Sequence, residues 1–145
     1  MTKVVYNACF GGFGLSEDAC KRYLELKGSP YWIEHDNKYP SLSIFNVWLV
    51  PPEERLKEKE GEAWYSMTRD ERIQYNQMHS EQTWNYRDIP RHDPILVQVV
   101  EELGEKANGS HANLCIAEVD GPYRIDEYDG NESVETPSSY DWITP

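Results

Sequence analysis

A short glycine-rich turn separates an extended apolar run from a helix with clear end signals, and it constrains the fold more than any other segment. The turn spans residues 9–16 (CFGGFGLS) and follows the apolar run at 4–6. Three glycines in four positions indicate backbone that needs a positive φ or the close approach of another group. This stretch therefore predicts a strand, a tight turn and a helix in succession.

The same turn is a candidate ligand site. Backbone N–H groups at the start of a helix can bind an anion, and the residues placed to do so are Gly11, Gly12, Gly14 and Ser16. The turn lacks the Lys-Ser/Thr ending of a P-loop and the spacing of a dinucleotide fingerprint. We therefore predict a structural turn, and keep an anion or nucleotide site and a protein-contact loop as alternatives.

The chain carries a large excess of negative charge. Its 145 residues include 26 acidic and 14 basic side chains, which gives a formal net charge of −12. Direct binding of nucleic acid is disfavoured, because phosphate contacts need a basic face. A partner protein with a basic surface is favoured instead.

Length and composition predict a single domain over residues 1–145. A chain of this size can bury one core without disulfides, and its 39% hydrophobic content argues against global disorder. The three widely spaced cysteines predict reduced thiols, and the sequence shows neither a signal-peptide layout nor a run long enough to span a membrane. We expect a soluble, cytoplasmic protein that contacts no membrane and needs no metal or cofactor.

Turn and cap signals predict the order of elements. The expected helices cover 17–27, 68 to about 84, and 94–103, and the expected strands cover 3–10, 43–50, 114–119, 123–128 and 133–135. Ser16, Thr68 and Asp93 are the expected N-caps. An exposed charged connection is expected at about 53–67, and an acidic tail from about 136.

The mixture of helices and strands predicts an α+β fold. We expect a mainly antiparallel sheet of about four to five strands, with about two to three helices packed on it in a single layer. An Asp120-Gly121 turn is expected to join the strands at 114–119 and 123–128 as a hairpin. Asp129-Gly130 is a second turn signal.

Three further groups of residues have a functional and an ordinary interpretation. Cys9 precedes a helix N-terminus, which lowers thiol pKa values, but a buried inert thiol is favoured. His92 beside Asp93 resembles a base with its orienting carboxylate, but Asp93 is already needed as a helix cap. Residues 126–132 (DEYDGNE) resemble a calcium loop without its ligand spacing, so a hairpin turn is favoured.

Aromatic residues crowd the middle third of the chain. Trp and Tyr combine a large apolar body with a polar tip, and they are enriched at protein interfaces. If several are exposed, they form an anchor for a partner protein or a stacking surface for a nucleotide base. The residues expected to form this partner-binding patch are Trp32, Trp48, Trp64, Tyr65, Trp84 and Tyr86.

Three segments resemble a family of small uncharacterised proteins encoded by bacteriophages and other large DNA viruses. They are residues 5–16 (VYNACFGGFGLS), 88–104 (DIPRHDPILVQVVEELG) and 127–132 (EYDGNE). The family's motif has an aromatic residue after Gly130, where this chain has Ser133-Val134. The resemblance implies a viral accessory protein that acts in the host cytoplasm, and it implies no particular chemistry.

Two functions follow as hypotheses. The first is a non-enzymatic protein that binds and inhibits, or redirects, a host protein through its acidic, aromatic-rich surface. The alternative is a protein that sequesters or hydrolyses a phosphorylated metabolite or nucleotide signal with the turn at Gly11 to Gly14. No complete catalytic motif accompanies the turn, which favours the first.

Overall fold

The computed structural model describes residues 1–35, 44–57 and 61–137, and these form two compact units. The first unit combines Met1–Lys27 with the chain from Tyr86 onward, and the second spans Gly28–Asn85. The predicted α+β fold with antiparallel strands is confirmed. The single-domain boundary stays a prediction, because two compact units can belong to one domain or to two.

Four α-helices and seven strands occur in the described ranges. The helices are α1 (Glu17–Lys27), α2 (Glu62–Tyr65), α3 (Arg69–Gln82) and α4 (Pro94–Leu103). The strands are β1 (Thr2–Asn7), β2 (Trp32–His35), β3 (Phe45–Trp48), β4 (Thr83–Trp84), β5 (Leu114–Val119), β6 (Arg124–Tyr128) and β7 (Asn131–Glu135). No helix in these ranges is long and apolar enough to cross a membrane.

The strands form three small antiparallel sheets rather than the one larger sheet expected. Their orders are β1-β5, β2-β3-β4 and β6-β7. The predicted hairpin between β5 and β6 is wrong, because β5 pairs with β1 instead, with Val5 opposite Ile116. Val4 and Val5 are fully buried in that pairing, whereas most of β6 is exposed. Burial of the apolar strand therefore outweighed the local turn signal at Asp120-Gly121.

The β6-β7 hairpin uses the second turn signal. Asp129 and Gly130 have φ of 49° and 86°, the paired positive values of a tight two-residue hairpin turn. Ile125 faces Val134 across the pair, and Tyr128 faces Asn131 beside the turn. The expected edge strand is present as β7, two residues longer than predicted at its start.

Helix α1 has the predicted bounds. The Ser16 hydroxyl accepts a hydrogen bond from the Ala19 N–H at 3.1 Å, and Gly28 follows the last turn with φ of 71°. These are the side-chain cap and left-handed stop that the sequence predicted. The helix buries Ala19, Cys20, Tyr23 and Leu24.

Helix α4 also agrees with the prediction, and it supplies much of the first unit's core. The Asp93 carboxylate accepts hydrogen bonds from the Ile95 and Leu96 N–H groups, Pro94 takes the first helical position, and Gly104 ends the helix. The side chains that it buries are Leu96, Val97, Val99 and Val100.

The second unit is built around β3. Trp48 pairs with Trp32 of β2 on one side and Thr83 of β4 on the other. Thr68 caps α3 through the Glu71 N–H as predicted, but the helix ends at Gln82 because the next two residues enter the sheet. The sequence analysis missed β2. Three of its predictions lie partly outside the described residues: the strand at 43–50, the connection at 53–67 and the acidic tail.

Burial of Cys20 predicts a fall in stability at alkaline pH. Burial, with a smaller effect of Glu17, raises the pKa of its thiol from an ordinary 9.0 to about 12. Above pH 9 the unfolded chain loses this proton while the folded chain keeps it, so the free energy of unfolding should fall as the pH rises toward 12. Urea unfolding at a series of pH values should show this fall, and Cys20→Ala should make it shallower. An identical slope in the variant would contradict the assignment.

Candidate functional site

The structure brings together three segments that are distant in the sequence, residues 5–16, 88–104 and 127–132. One residue of each meets in a polar cluster, which we define as Asn7, Arg91 and Glu132. Asn7 is fully buried, Glu132 is buried, and Arg91 is half-buried. The hydrogen bonds in this cluster join residues that are 41 and 125 positions apart in the sequence. The cluster therefore belongs to the tertiary structure and to no local element.

Arg91 and Glu132 form a bidentate ion pair at its centre. Nη1 and Nη2 of Arg91 lie 2.6 and 2.8 Å from Oε1 and Oε2 of Glu132, whose side chain is only 6% exposed. The guanidinium carbon also lies 3.6 Å from the centre of the Phe13 ring. Two parallel hydrogen bonds with a stacked aromatic face hold the Arg91 side chain in one orientation.

The cluster completes the free edge of β1. Val5 donates its N–H to the Arg91 carbonyl at 2.8 Å, and Asn7 donates its N–H to Glu132 Oε1 at 2.8 Å. A third strand would satisfy these groups in a larger sheet. Here a loop carbonyl and a side-chain carboxylate take its place, because buried backbone donors need a partner.

Asn7 ties the glycine turn to the β6-β7 hairpin. Its Nδ2 donates to the carbonyls of Cys9 and Gly130, each at 2.8 Å, and its Oδ1 accepts from the Asn113 N–H at 2.8 Å. The amide thus uses both donor hydrogens and its acceptor inside the protein. These hydrogen bonds help to fix the position of the turn relative to the hairpin.

Close backbone packing accounts for several of the glycines. A Cβ on Gly130 would lie 2.5 Å from the Phe10 carbonyl oxygen, and one on Gly109 would lie 2.9 Å from the Gly14 carbonyl carbon. A Cβ on Gly11 would overlap the backbone of His111. Gly12 has φ of 90° instead. These are the two conditions, close approach and positive φ, that the sequence analysis gave for a structural turn.

Gly130→Ala should destabilise the protein more than Gly121→Ala. The two glycines have similar φ, 86° and 93°, but a Cβ meets nothing within 4 Å at Gly121 and meets the glycine turn at Gly130. Strain at positive φ should cost each variant about 1 kcal/mol, and the steric overlap should add about 1–3 kcal/mol at Gly130. Chemical denaturation of both variants measures the difference, and equal losses would mean that the turn does not pack on the hairpin.

Ser16 makes its hydrogen bonds within the fold. Besides capping α1, its hydroxyl donates to the Lys106 carbonyl at 2.6 Å, and its N–H donates to the Ala107 carbonyl at 2.9 Å. An anion at this helix N-terminus would have to compete with these bonds. The ligand site at Gly11, Gly12, Gly14 and Ser16 stays a prediction.

The consecutive residues Arg91, His92 and Asp93 turn to different partners. Asp93 caps α4 and accepts a hydrogen bond from the Tyr23 hydroxyl at 2.9 Å, whereas His92 Nδ1 lies 2.7 Å from the Tyr123 hydroxyl. Burial and, to a smaller extent, the Asp93 contact raise the pKa of the Tyr23 phenol. His92 and Asp93 therefore do not form a base with an adjacent orienting carboxylate.

Cys9 and the acidic hairpin both make contacts within the fold, although Cys9 is half-buried and not buried as the sequence analysis favoured. The half-buried Cys9 thiol donates to the His111 carbonyl at 2.9 Å. Glu132, the last residue of the calcium-like stretch, is bound to Arg91. Within residues 1–35, 44–57 and 61–137, no group of three or more His, Cys, Asp or Glu side chains is arranged to hold a metal ion.

The six aromatic residues predicted as a partner-binding patch differ widely in exposure. The assignment of Trp48 to this patch is wrong, because this residue is only 7% exposed. It lies beneath the Arg55 guanidinium and edge-on to His79. Tyr65 is 77% exposed. The half-buried members are Trp32, Trp64, Trp84 and Tyr86.

The patch is also divided between the two units. Trp64 contacts Tyr75 and Arg72 in the second unit, whereas Tyr86 packs against Phe13 in the first. The proposed role of the remaining members in partner binding stays a prediction.

Two other aromatic residues, which the sequence analysis did not select, are highly exposed in the first unit. Phe10 is 64% exposed in the glycine turn, and Tyr128 is 79% exposed beside the hairpin turn. Each adjoins a glycine turn signal, Gly11-Gly12 for one and Asp129-Gly130 for the other. That position at a turn was the available signal, because side chains at turn tips have few neighbours to pack against.

Comparisons with protein-family models, characterised proteins and solved structures found no match to this chain.

Proposed function

We propose that this protein acts by binding, and thereby inhibiting or redirecting, a partner protein that has a basic surface. The viral resemblance suggests a host protein as that partner. One observation carries the proposal: the polar groups of the resemblance segments bond to one another inside the fold, while large aromatic side chains of the same segments are exposed. A surface of this kind is suited to contact and offers no set of reactive groups.

Charge supports the same proposal. The chain has a formal charge of −12, and exposed acidic residues lie along β6 and its turn. Long-range attraction would speed the encounter with a basic surface, and burial of aromatic side chains would then supply most of the affinity. Encounter should therefore slow as salt is raised, since exposed charges are screened at physiological ionic strength.

Nucleotide capture at the glycine turn has less support. The Ser16 N–H and hydroxyl already bond within the fold, and Glu17 and Asp18 at the start of α1 would repel a phosphate. Thermal-shift screening of nucleotides tests this alternative directly. A saturable shift would favour it over protein binding.

The experiment that tests the proposal is capture of proteins from host lysate on the immobilised chain across a series of salt concentrations. The control surface is an unrelated acidic protein of matched net charge. We expect saturable recovery of a basic protein on this chain alone, with affinity decreasing as salt is raised, followed by direct binding of the purified partner in calorimetry. Recovery equal to the control, or no saturable partner at moderate salt, would refute the proposal.

A further inference from the structure

We propose that the exposed surface formed by Phe10 and Tyr128 binds an arginine-bearing segment of the partner protein. We name this surface the aromatic edge. The inference rests on the proposed function, and it adds the place of binding and the chemical class of the group that is bound.

The backbone places the two aromatic residues at the same end of the first unit. Asn7 Nδ2 donates to the carbonyls of Cys9 and Gly130. Cys9 is next to Phe10 in the sequence, and Gly130 comes two residues after Tyr128. The Phe10 carbonyl packs directly on Gly130. The glycine turn and the hairpin tip therefore form one continuous piece of surface.

This surface is held in place before any partner arrives. The tight hairpin turn fixes the backbone beside Tyr128, and the ion pair of the half-buried Arg91 with the buried Glu132 anchors the start of β7 to β1. Prior ordering of a binding surface reduces the entropy lost on association. Exposed aromatic side chains on a fixed backbone are the kind of anchor that dominates the affinity of protein interfaces.

Charge at the aromatic edge selects a cationic occupant. Asp129 follows Tyr128 in the hairpin turn, and Asp126 lies on the same face of β6 as Tyr128 because strand side chains alternate between faces; both are exposed. Two nearby cations have acidic partners: Arg91 pairs with Glu132, and Arg124 lies 3.6 Å from Asp126. A nucleotide would stack on the rings but bring phosphates to these carboxylates, so repulsion disfavours it.

Arginine satisfies both features of the surface at once. Its planar guanidinium stacks on an aromatic face and presents a fork of N–H donors that fits a carboxylate. Lysine is a compact, strongly hydrated charge that lacks the planar fork. The aromatic edge should therefore bind arginine in preference to lysine, and both in preference to a neutral side chain.

Calorimetry of the full chain with three short synthetic peptides tests the inference. The peptides share one sequence and differ only in carrying arginine, lysine or citrulline, the last being the neutral analogue of arginine. We expect binding to weaken in that order. Phe10→Ala and Tyr128→Ala should each weaken binding of the arginine peptide about twofold to fivefold, the range expected for loss of one exposed cation–π contact.

Matched variants distinguish binding at the aromatic edge from nonspecific electrostatic or hydrophobic binding elsewhere on the protein. Asp129→Asn should weaken arginine binding without unfolding the hairpin, because asparagine tolerates the positive φ at that position. In the second unit, Ile73→Ala removes an exposed apolar side chain and Glu53→Gln an exposed charge, and both should leave the affinity unchanged. Denaturation curves confirm that each variant is folded.

The outcomes distinguish the inference from the proposed function. If the chain captures a basic protein but Phe10→Ala and Tyr128→Ala bind the arginine peptide like the parent, the inference is wrong and the proposed function stands. The inference is also wrong if citrulline and arginine peptides bind equally. If the chain binds neither arginine peptide nor any basic protein, both fail.

Discussion

Replacing Glu132 with alanine should lower the free energy of unfolding by about 3–5 kcal/mol, the range measured when one partner of a buried ion pair is removed. The substitution leaves the Arg91 guanidinium without its bidentate partner and the Asn7 N–H without its acceptor. The Asn7 N–H is fully buried and the Arg91 side chain is only 20% exposed, so water replaces few of the lost hydrogen bonds. Urea denaturation of the variant beside the parent measures the loss.

Two control variants make the prediction specific. Glu132→Gln keeps an oxygen that can accept from Asn7 but removes the charge, so its loss of stability should be smaller than that of Glu132→Ala. Glu101→Ala removes the carboxylate of an exposed pair with Lys3, and it should change stability little because solvent already screens that pair. Equal effects of Glu132→Ala and Glu101→Ala would contradict the assigned role of the polar cluster.

Val99→Asp should destabilise the protein severely, by about 4 kcal/mol or more, because it places an unpaired carboxylate in a fully buried position. Val99 lies in α4 among Leu96, Val97 and Val100, all of them buried. A loss of this size is a large part of the whole stability of a small domain. Circular dichroism at ordinary temperature should show partial or complete unfolding.

The comparison variants are Val99→Ala and Gln98→Asp. Val99→Ala deletes two methyl groups and should cost about 1–3 kcal/mol through lost burial and the cavity that remains. Gln98→Asp puts the same new charge one position away on the exposed side of α4, and its effect should be far smaller. If Val99→Asp unfolded at the same denaturant concentration as the parent, Val99 would not be in the core.

Short-range signals were sufficient to predict the elements that depend on local backbone chemistry. The bounds of α1 and α4 follow from the caps at Ser16 and Asp93 and from the glycines after their last turns, and β5 has the predicted bounds. Such caps act within about one helical turn, so a single sequence contains the information for them.

Predictions that needed a partner from elsewhere in the chain were less successful. The chain bends at Asp120-Gly121, with φ of 93° at Gly121, but this local signal does not determine which strand pairs with β5, and the predicted hairpin does not form. Trp48 was grouped with candidate surface aromatics, whereas pairing on both sides of β3 buries it. Composition reports how many aromatic residues there are and not which of them the fold covers.

The sequence by itself determined the limits of α1 and α4, the hairpin turn at Asp129-Gly130, the α+β class and the strongly acidic charge, because each depends on neighbouring residues or on composition alone. Only the tertiary structure decided the pairing of β1 with β5, the meeting of Asn7, Arg91 and Glu132, and the burial of Trp48. The physical reason is that these features join residues as many as 125 positions apart. Their free energy comes from burial and from the pairing of polar groups across the core, which no local pattern specifies.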